Sequence, residues 1–238
     1  MLGLILAGGD GSRLAADGVV APKALAEVGG RPQLLALAER FLALGCSEVA
    51  CLLRADVLPL AEPLLASLGT ASVRLVPCRT PSSLHTLVEG LAALPAGDVF
   101  CSMVDSVMTP ADWSRVFATA ARDLATGADA VLAVTPPADD DAPLWVQLGA
   151  ERAVSRVGGG PSEPPRVTGG VYAFAPAARA RAAAACAAGR HRMRAFLAEL
   201  VDAGATVRAV DVARIIDVDH RRDLDAANAY LAGTLRTP

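Results

Sequence analysis

The chain has 238 residues and a formal net charge of −3 at neutral pH, and 53% of its residues are hydrophobic. A chain of this length can bury a substantial core as one α/β domain, so we expect a single domain over residues 1–238. With aromatic residues at 4% and no excess of basic side chains, the composition excludes the basic, aromatic surface typical of nucleic-acid-binding proteins.

No apolar run approaches the roughly 18 residues that a membrane-spanning helix needs, and the apolar stretch at the amino terminus is too short for a signal peptide. We therefore expect a cytoplasmic protein with no membrane partner. The cysteines lack C-x-x-C spacing, which favours buried free thiols over a disulfide framework or a zinc site. They are Cys46, Cys51, Cys78, Cys101 and Cys186.

Short apolar runs alternate with amphipathic stretches through the first part of the chain. In chain order we predict strand 2–7, helix 32–44, strand 48–53, helix 58–68, strand 72–76, helix 83–94, strand 99–104, a helix from 110 to about 124 and strand 130–134. Thr109 is the predicted cap of the last of these helices. This alternating order predicts a three-layer α/β/α fold with a mostly parallel central sheet.

The pattern changes after residue 135, where we predict a hairpin of strands 145–148 and 153–157. The glycine- and proline-rich segment 158–165 that follows is the strongest candidate for a linker. The remaining predictions are strand 167–174, alanine-rich helices within 177–203, strand 207–210 and a closing helix over 221–232.

The stretch LAGGDGSRL, residues 6–14, places three glycines and Arg13 directly after the first predicted strand. A glycine-rich turn in this position lets backbone N–H groups converge on a phosphate, because glycine permits close approach and positive φ angles. Arg13 adds a guanidinium that can pair with an anion. By itself the loop is equally consistent with a tight turn that binds nothing.

Lys23 is the single lysine of a chain whose 22 basic residues are otherwise all arginine. A compact ammonium presents a different geometry to phosphate from that of a guanidinium fork. A lone lysine in the segment APKAL therefore indicates a position where an ammonium is needed, with an ordinary surface lysine as the alternative.

Together, L-A-G-G-x-G-x-R-L and P-K-x-L resemble the signature of nucleotidyltransferases with a GT-A-like, Rossmann-related fold. That group includes sugar-1-phosphate, choline-phosphate and inositol-phosphate nucleotidylyltransferases and molybdenum-cofactor transferases. The resemblance implies catalytic roles for Arg13 and Lys23, which would hold the phosphates of a nucleoside triphosphate. It also implies a set of nucleotide-binding residues, namely Leu6, Ala7, Gly8, Gly9 and Gly11.

The resemblance implies a magnesium ion as well, held by two carboxylates. Asp105 follows an apolar strand, and ligands of open α/β sheets collect at the carboxyl ends of strands. Its alternative reading is a helix-start aspartate, although Thr109 already fills the capping role. The family has Gly-Asp at this point, whereas this chain has Val104-Asp105.

The segment IIDVDHRRDLDAAN resembles the family pattern D-x-D-T-P-E-D-L, in which the second acid completes the magnesium site. We expect only one of Asp217 and Asp219 to line the pocket readily and favour Asp219, while a contribution of Asp217 to the metal site stays open. His220 and Arg221 stand where the family has threonine and proline, so the segment departs from the family pattern directly after Asp219.

Four further stretches have two readings each. Ser82 and Ser83 would contact the nucleotide or cap a helix, and Thr168, Gly169 and Gly170 would lie near an acceptor or form a bulged strand. The basic run 190–194 would receive an acceptor phosphate or begin a solvated helix. The acidic run 139–141 is assigned no role, because adjacent carboxylates converge poorly on one ion and a solvated loop is favoured.

The expected function is magnesium-dependent transfer of a nucleoside monophosphate from a nucleoside triphosphate to a phosphorylated small molecule, with release of pyrophosphate. The acceptor class covers sugar 1-phosphates, polyol phosphates, amino-alcohol phosphates and phosphonates. The D-x-D ending is similar to that of the smaller cytidylyltransferases, which favours CTP. The alternatives are a GT-A glycosyltransferase that uses a nucleotide sugar and a noncatalytic nucleotide-binding module. A homodimer is left open.

Overall fold

The computed structural model describes residues 1–68, 72–137 and 142–235 of the chain. Within these residues the strands are β1 (Leu2–Ala7), β2 (Glu27–Val28), β3 (Arg31–Pro32), β4 (Val49–Arg54), β5 (Val73–Cys78), β6 (Val99–Met103), β7 (Ser106–Val107), β8 (Ala130–Thr135), β9 (Val146–Leu148), β10 (Val154–Val157), β11 (Val167–Phe174), β12 (Val207–Asp211) and β13 (Ile216–Asp217). The α-helices are α1 (Ser12–Ala16), α2 (Gln33–Ala43), α3 (Leu58–Leu65), α4 (Ser83–Ala93), α5 (Pro110–Ala125), α6 (Pro176–Ala187), α7 (Met193–Asp202) and α8 (Arg221–Leu235).

Seven strands form one central sheet in the order β12-β8-β11-β6-β1-β4-β5. Every neighbouring pair is parallel except those made by β11, which runs antiparallel to both β6 and β8. The mostly parallel sheet that the sequence predicts is therefore confirmed. The reversed direction of β11 departs from the simple β-α alternation.

Helices cover both faces of this sheet, so the chain forms a single three-layer domain. Ile5 belongs to the core cluster that includes Leu34 of α2 and Trp113 of α5. Its neighbour Leu4 belongs to the cluster on the opposite face, which includes residues of α4, α6 and α7. Because successive residues of β1 face opposite layers and both layers are apolar, the strand reads as a continuous hydrophobic run.

Most predicted elements are confirmed, with ends shifted by one or two residues. The hairpin is present as the antiparallel pair β9–β10, and Thr109 caps α5 by accepting the Asp112 N–H at 3.1 Å. The segment 158–165 joins β10 to β11 within one domain, because β11 lies between β6 and β8 in the sheet. It is therefore not a linker between domains. The acidic run 139–141 lies outside the described residues.

Small elements at the carboxyl edge of the sheet form a separate layer. The antiparallel ribbon β7–β13 pairs Ser106 with Asp217 and Val107 with Ile216. A third apolar cluster fixes this ribbon against α1, β2 and α8 through Leu14, Val28, Val107, Ile216, Val218 and Ala227. This layer holds the site described below.

The five cysteines are free thiols, as predicted, with Cys186 half-buried and the other four buried. Among the helices of the described residues, none combines the length and the apolar character needed to cross a bilayer.

Candidate active site

The glycine loop connects β1 to the short helix α1 and passes close to Lys23. Gly11 begins α1 with a φ of +64°, and a Cβ atom placed on it would lie 2.8 Å from the Cβ of Lys23. A Cβ on Gly8 would lie 2.9 Å from the Sγ of Cys78. Both positions therefore need glycine, Gly11 for its backbone angle and for space and Gly8 for space alone.

Lys23 lies between two carboxylates. Its Nζ contacts Oδ2 of Asp105 and lies 2.5 Å from Oδ1 of Asp219, while only 12% of its side chain is exposed. Burial lowers the pKa of Lys23, but the charges of the two carboxylates outweigh this and hold the pKa above its ordinary value. The side chain is therefore a charged ammonium at neutral pH.

Asp219 also contacts Arg13, whose Nη1 lies 2.6 Å from Oδ2 of the carboxylate. Partial burial raises the pKa of Asp219, but Lys23 and then Arg13 lower it by more, so it lies below its usual value. Two cations from the amino-terminal segment thus meet a carboxylate from the carboxyl-terminal segment.

The ribbon β7–β13 brings these distant segments together. Asp105 lies directly before β7, and its carbonyl accepts the Val218 N–H at 3.0 Å. Val218 is fully buried. Backbone pairing therefore places Asp105 beside Asp219, although more than a hundred residues separate them in sequence.

Three adjoining cavities surround this network. The loop cavity has a volume of about 300 Å³ and is lined by Leu6, Gly8, Gly9, Asp10, Thr80, Pro81, Ser82, Ser83, Thr86 and Met103. The central cavity, of about 450 Å³, shares Ser82, Ser83 and Met103 with it. The helix cavity, of about 220 Å³, shares Thr168, Asp217 and Asp219 with the central one.

The predicted nucleotide-binding residues mostly gather at the loop cavity, which is lined by Leu6, Gly8, Gly9, Ser82 and Ser83. Two predicted residues lie elsewhere. Ala7 is buried in β1 and lines none of the three cavities, and Gly11 faces Lys23 instead.

Ser82 and Ser83 tie the start of α4 to the start of α7. The hydroxyl of Ser82 donates to the carbonyl of His191, and the Oγ of Ser83 accepts the Met193 N–H at 3.1 Å. The hydroxyl of Ser82 makes no cap bond to its own helix. Arg192 and Arg194 line the central cavity beside this junction.

The predicted acceptor residues lie on β11 at the central and helix cavities. Thr168 lines both cavities, Gly169 lines the helix cavity and Gly170 lines the central cavity. The pairing of β11 with β8 shifts register after Thr168, so the strand is bulged here. Gly170 has a φ of +76°, and a Cβ on it would lie 2.7 Å from Oγ of Ser106. Both readings of this stretch therefore fit the observed geometry.

The expectation that only one of Asp217 and Asp219 would line the pocket is wrong. Both line the central and helix cavities, while Val218 between them points into the core. Residues two apart in an extended segment share a side, which accounts for this arrangement.

Met103 and Tyr172 are among the lining residues that the sequence reasoning missed. Met103 ends β6 and lies between the loop and central cavities, while Tyr172 is buried at the wall of the central cavity. Burial raises the pKa of Tyr172 above its ordinary value. Tyr172 lies four residues after Thr168, and strand periodicity could have placed both on one face.

The carboxylate oxygens at this site are of the kind that binds a magnesium ion. Asp105 and Asp219 present carboxylate oxygens to one shared cation, the ammonium of Lys23. Mg²⁺ is commonly held by one or two carboxylates together with substrate phosphates. Among the residues that the structure describes, no cluster of three or more His, Cys, Asp or Glu side chains is arranged to hold a metal.

Fold and site together define the class of protein. The glycine loop after the first strand and the lysine between two carboxylates lie where the nucleotidyltransferase signature resembled by the sequence would place them. Residues 3–204 match the family described as MobA-like NTP transferase domain. The chain belongs to this family and is a nucleotidyltransferase. No curated protein sequence shows significant similarity to it.

Solved structures share the whole fold. An inositol-1-phosphate CTP transferase from T. maritima has 17% sequence identity and a TM-score of 0.80, with 98% of this chain and 95% of that chain covered. A putative glucose-1-phosphate thymidylyltransferase from Bacillus anthracis has 16% identity and a TM-score of 0.80, with 97% and 95% covered. A CMP:2-keto-3-deoxy-manno-octonic acid synthetase complexed with CTP has 18% identity and a TM-score of 0.72, with 98% of each chain covered.

Proposed function

We propose that this nucleotidyltransferase is magnesium-dependent and transfers a nucleoside monophosphate to the phosphate of a small-molecule acceptor, with release of pyrophosphate. The observation that carries the proposal is the position of Lys23. This ammonium contacts Asp105 and Asp219 and lies against Gly11 of the glycine loop. The groups that would bind a triphosphate and those that would bind its metal are therefore neighbours.

The reaction requires little covalent chemistry from the protein. An oxygen of the acceptor phosphate attacks the α-phosphorus, a new P–O bond forms, and the bond to the bridging oxygen of the pyrophosphate breaks on the opposite side. The attacking group is already ionised, so no general base is needed. Positioning and neutralisation of charge supply the rate enhancement, as in related phosphoryl transfers.

Each charged residue has a role in this scheme. Lys23 and Arg13 would offset the charge that develops on the departing phosphates. Asp105 and Asp219 would hold the Mg²⁺. When bound, the ion would supply charge neutralisation and orientation of phosphate oxygens.

The cavities suggest where the two substrates lie. The loop cavity, with Gly8, Gly9, Ser82 and Ser83, would take the nucleotide. The central cavity would take the acceptor beside Thr168 and Gly170, with Gly169 in the adjoining helix cavity. Arg192 and Arg194 bring two guanidinium groups to the central cavity, which favours an anionic acceptor.

The acceptor class and the base are also part of the proposal. The names of two structural neighbours, an inositol-1-phosphate CTP transferase and a putative glucose-1-phosphate thymidylyltransferase, support a phosphorylated small molecule, and the first of them supports CTP. Sugar 1-phosphates, polyol phosphates, amino-alcohol phosphates and phosphonates form the class to be tested. We place the enzyme in the cytoplasm, without nucleic-acid or membrane partners, and size-exclusion chromatography tests its assembly as a homodimer.

The test is a pyrophosphate-release panel. Purified protein with Mg²⁺ is incubated with each of the four ribonucleoside triphosphates and each acceptor class. We expect pyrophosphate release that requires triphosphate, acceptor and metal together, with the highest rate for CTP. The Asp105→Ala variant should be inactive in the same panel.

Two outcomes would overturn the proposal. Transfer from a nucleotide sugar without pyrophosphate release would indicate a glycosyltransferase. Nucleotide binding without turnover by any acceptor, unchanged in Asp105→Ala, would indicate a binding module.

A further inference from the structure

His220 differs from the family pattern at a position next to the proposed metal ligand Asp219. Its Nδ1 donates to Oδ2 of Asp17 at 3.0 Å, and the backbone N–H of Arg221 donates to the same oxygen at 3.0 Å. Two donors from the start of α8 therefore converge on one carboxylate oxygen. We call the contact between Asp17 and His220 the clip.

The clip joins the two segments that carry the charged network. Asp17 ends α1, the helix that contains Arg13. His220 directly follows Asp219, and the Arg13–Asp219 ion pair of 2.6 Å spans the same two segments. The clip and the ion pair thus form two parallel connections between α1 and the start of α8.

The turn at Asp219 is also fixed from the α8 side. Oδ2 of Asp223 accepts the N–H of Asp219 at 3.1 Å and the N–H of His220 at 2.7 Å. Asp223 therefore sets the backbone of this turn, and the side chain of His220 attaches the turn to α1.

Helix α1 depends on such attachments. It has five residues, follows Gly11 without a side-chain cap, and buries only Leu14. Isolated helices of this length are not stable in water, because helix formation requires a costly nucleus. Leu14, the Arg13–Asp219 ion pair, the Arg221 N–H and the clip hold α1 against the carboxyl-terminal segment.

We propose that His220 is a positioning residue, which acts through Asp17 to set the spacing between Arg13 and Asp219. The inference rests on the proposed function, because this spacing matters for a site in which Arg13 meets phosphate and Asp219 meets the metal. A displacement of about 1 Å in such a site costs on the order of 100-fold in rate. His220 lines the helix cavity, and the role we assign to its imidazole is the hydrogen bond to Asp17.

The probe is inorganic triphosphate with Mg²⁺, titrated into the full-length protein by calorimetry, since this probe tests the arrangement without a nucleoside base. We expect the His220→Ala variant to bind it about 10-fold more weakly than the wild type. The His220→Asn variant, whose amide can donate to Asp17, should recover most of the affinity. Asp225→Ala removes an exposed carboxylate from the same helix and should bind like the wild type.

A double-variant comparison separates positioning from a general structural effect. If Asp17 and His220 act together, the double variant Asp17→Ala/His220→Ala should bind triphosphate no more weakly than the weaker-binding of the two single variants. In turnover assays, the KM for the triphosphate should rise in His220→Ala while the KM for the acceptor stays unchanged. Thermal unfolding midpoints of His220→Ala and His220→Asn should agree closely.

Equal affinity of His220→Ala and the wild type would overturn the inference, as would equal losses in His220→Ala and His220→Asn. Absence of triphosphate binding by the wild type would also overturn it. If the wild type and its variants bind triphosphate as expected but no acceptor yields pyrophosphate, the proposed function is wrong and the positioning role of His220 is supported.

Discussion

At the scale of single residues, the one lysine of the sequence lies at the centre of the candidate site. A chain with 22 basic residues and one lysine places that lysine between Asp105 and Asp219. The space there is narrow, because 12% of the lysine side chain and 13% of the Asp105 side chain are exposed. A compact ammonium fits such a position better than a planar guanidinium.

We expect Lys23→Arg to lose activity although it keeps the positive charge. The longer planar fork does not fit between the two carboxylates, so we predict a fall in kcat of about 100-fold. The measurement is steady-state pyrophosphate release. Arg54→Lys is the control, because it makes the reverse exchange at an exposed ion pair with Asp56. Activity of Lys23→Arg within about threefold of the wild type would contradict the assigned role.

Asp105→Asn should lower kcat by about 100-fold or more, because a neutral amide is a weaker magnesium ligand and removes a charge opposite Lys23. Circular dichroism should show an unchanged fold, since the amide keeps the size of the side chain. Asp112→Asn is a matched control at a buried carboxylate that pairs with Arg115, away from the cavities. An active Asp105→Asn enzyme would exclude this residue as a metal ligand.

At the scale of elements, periodicity predicted the long strands and helices but not the pieces that assemble the site. The ribbon β7–β13 has two residues in each strand, which is too short to show any pattern. It also pairs segments that are more than a hundred residues apart, and such non-local pairing leaves no local trace in the sequence. The direction of β11 was hidden for another reason, because a strand buried on both faces is a continuous apolar run in either direction.

Gly11 in the glycine loop and Gly18 just after α1 offer a matched test that separates the effect of the backbone angle from the effect of the contact with Lys23. Gly11 and Gly18 both have positive φ angles, of 64° and 81°, but only Gly11 meets Lys23, and Gly18 has open space around it. We expect Gly18→Ala to lower the free energy of unfolding by about 1–2 kcal/mol without changing the KM for the triphosphate. Gly11→Ala should lose similar stability and also raise that KM about 10-fold, because its methyl group displaces Lys23.

Urea denaturation and steady-state kinetics measure the two effects separately. A Gly11→Ala enzyme with the same KM as Gly18→Ala would show that the approach of the loop to Lys23 has no functional consequence.

At the scale of the whole molecule, two apolar layers on one sheet account for the high hydrophobic content of the chain. The same burial explains why the pKa values of the cysteine thiols in these layers are high. It raises the pKa of Cys46 and of Cys51 to about 12, and it raises the pKa of Cys101 as well. The spacing of the cysteines was therefore sufficient to predict free thiols, and four of the five are buried.

We expect one cysteine of the native protein to react quickly with iodoacetamide at pH 8. The thiolate is the reactive form, and burial both raises the pKa and blocks access for four of the five thiols. Mass spectrometry should find the fast label on half-buried Cys186, and Cys186→Ser should lack it. All five thiols should react in urea. Fast labelling of Cys51 or Cys101 in the folded protein would contradict the packing of the sheet.

The central claim is that the glycine loop, Lys23 and the carboxylates of Asp105 and Asp219 surround one triphosphate–metal complex. The most direct measurement is a crystal structure of the protein with Mg²⁺ and a non-hydrolysable CTP analogue. We predict that the metal contacts Asp105 and Asp219 and that the triphosphate lies along the glycine loop within reach of Lys23 and Arg13. A triphosphate bound elsewhere, or a metal that touches neither carboxylate, would contradict the account.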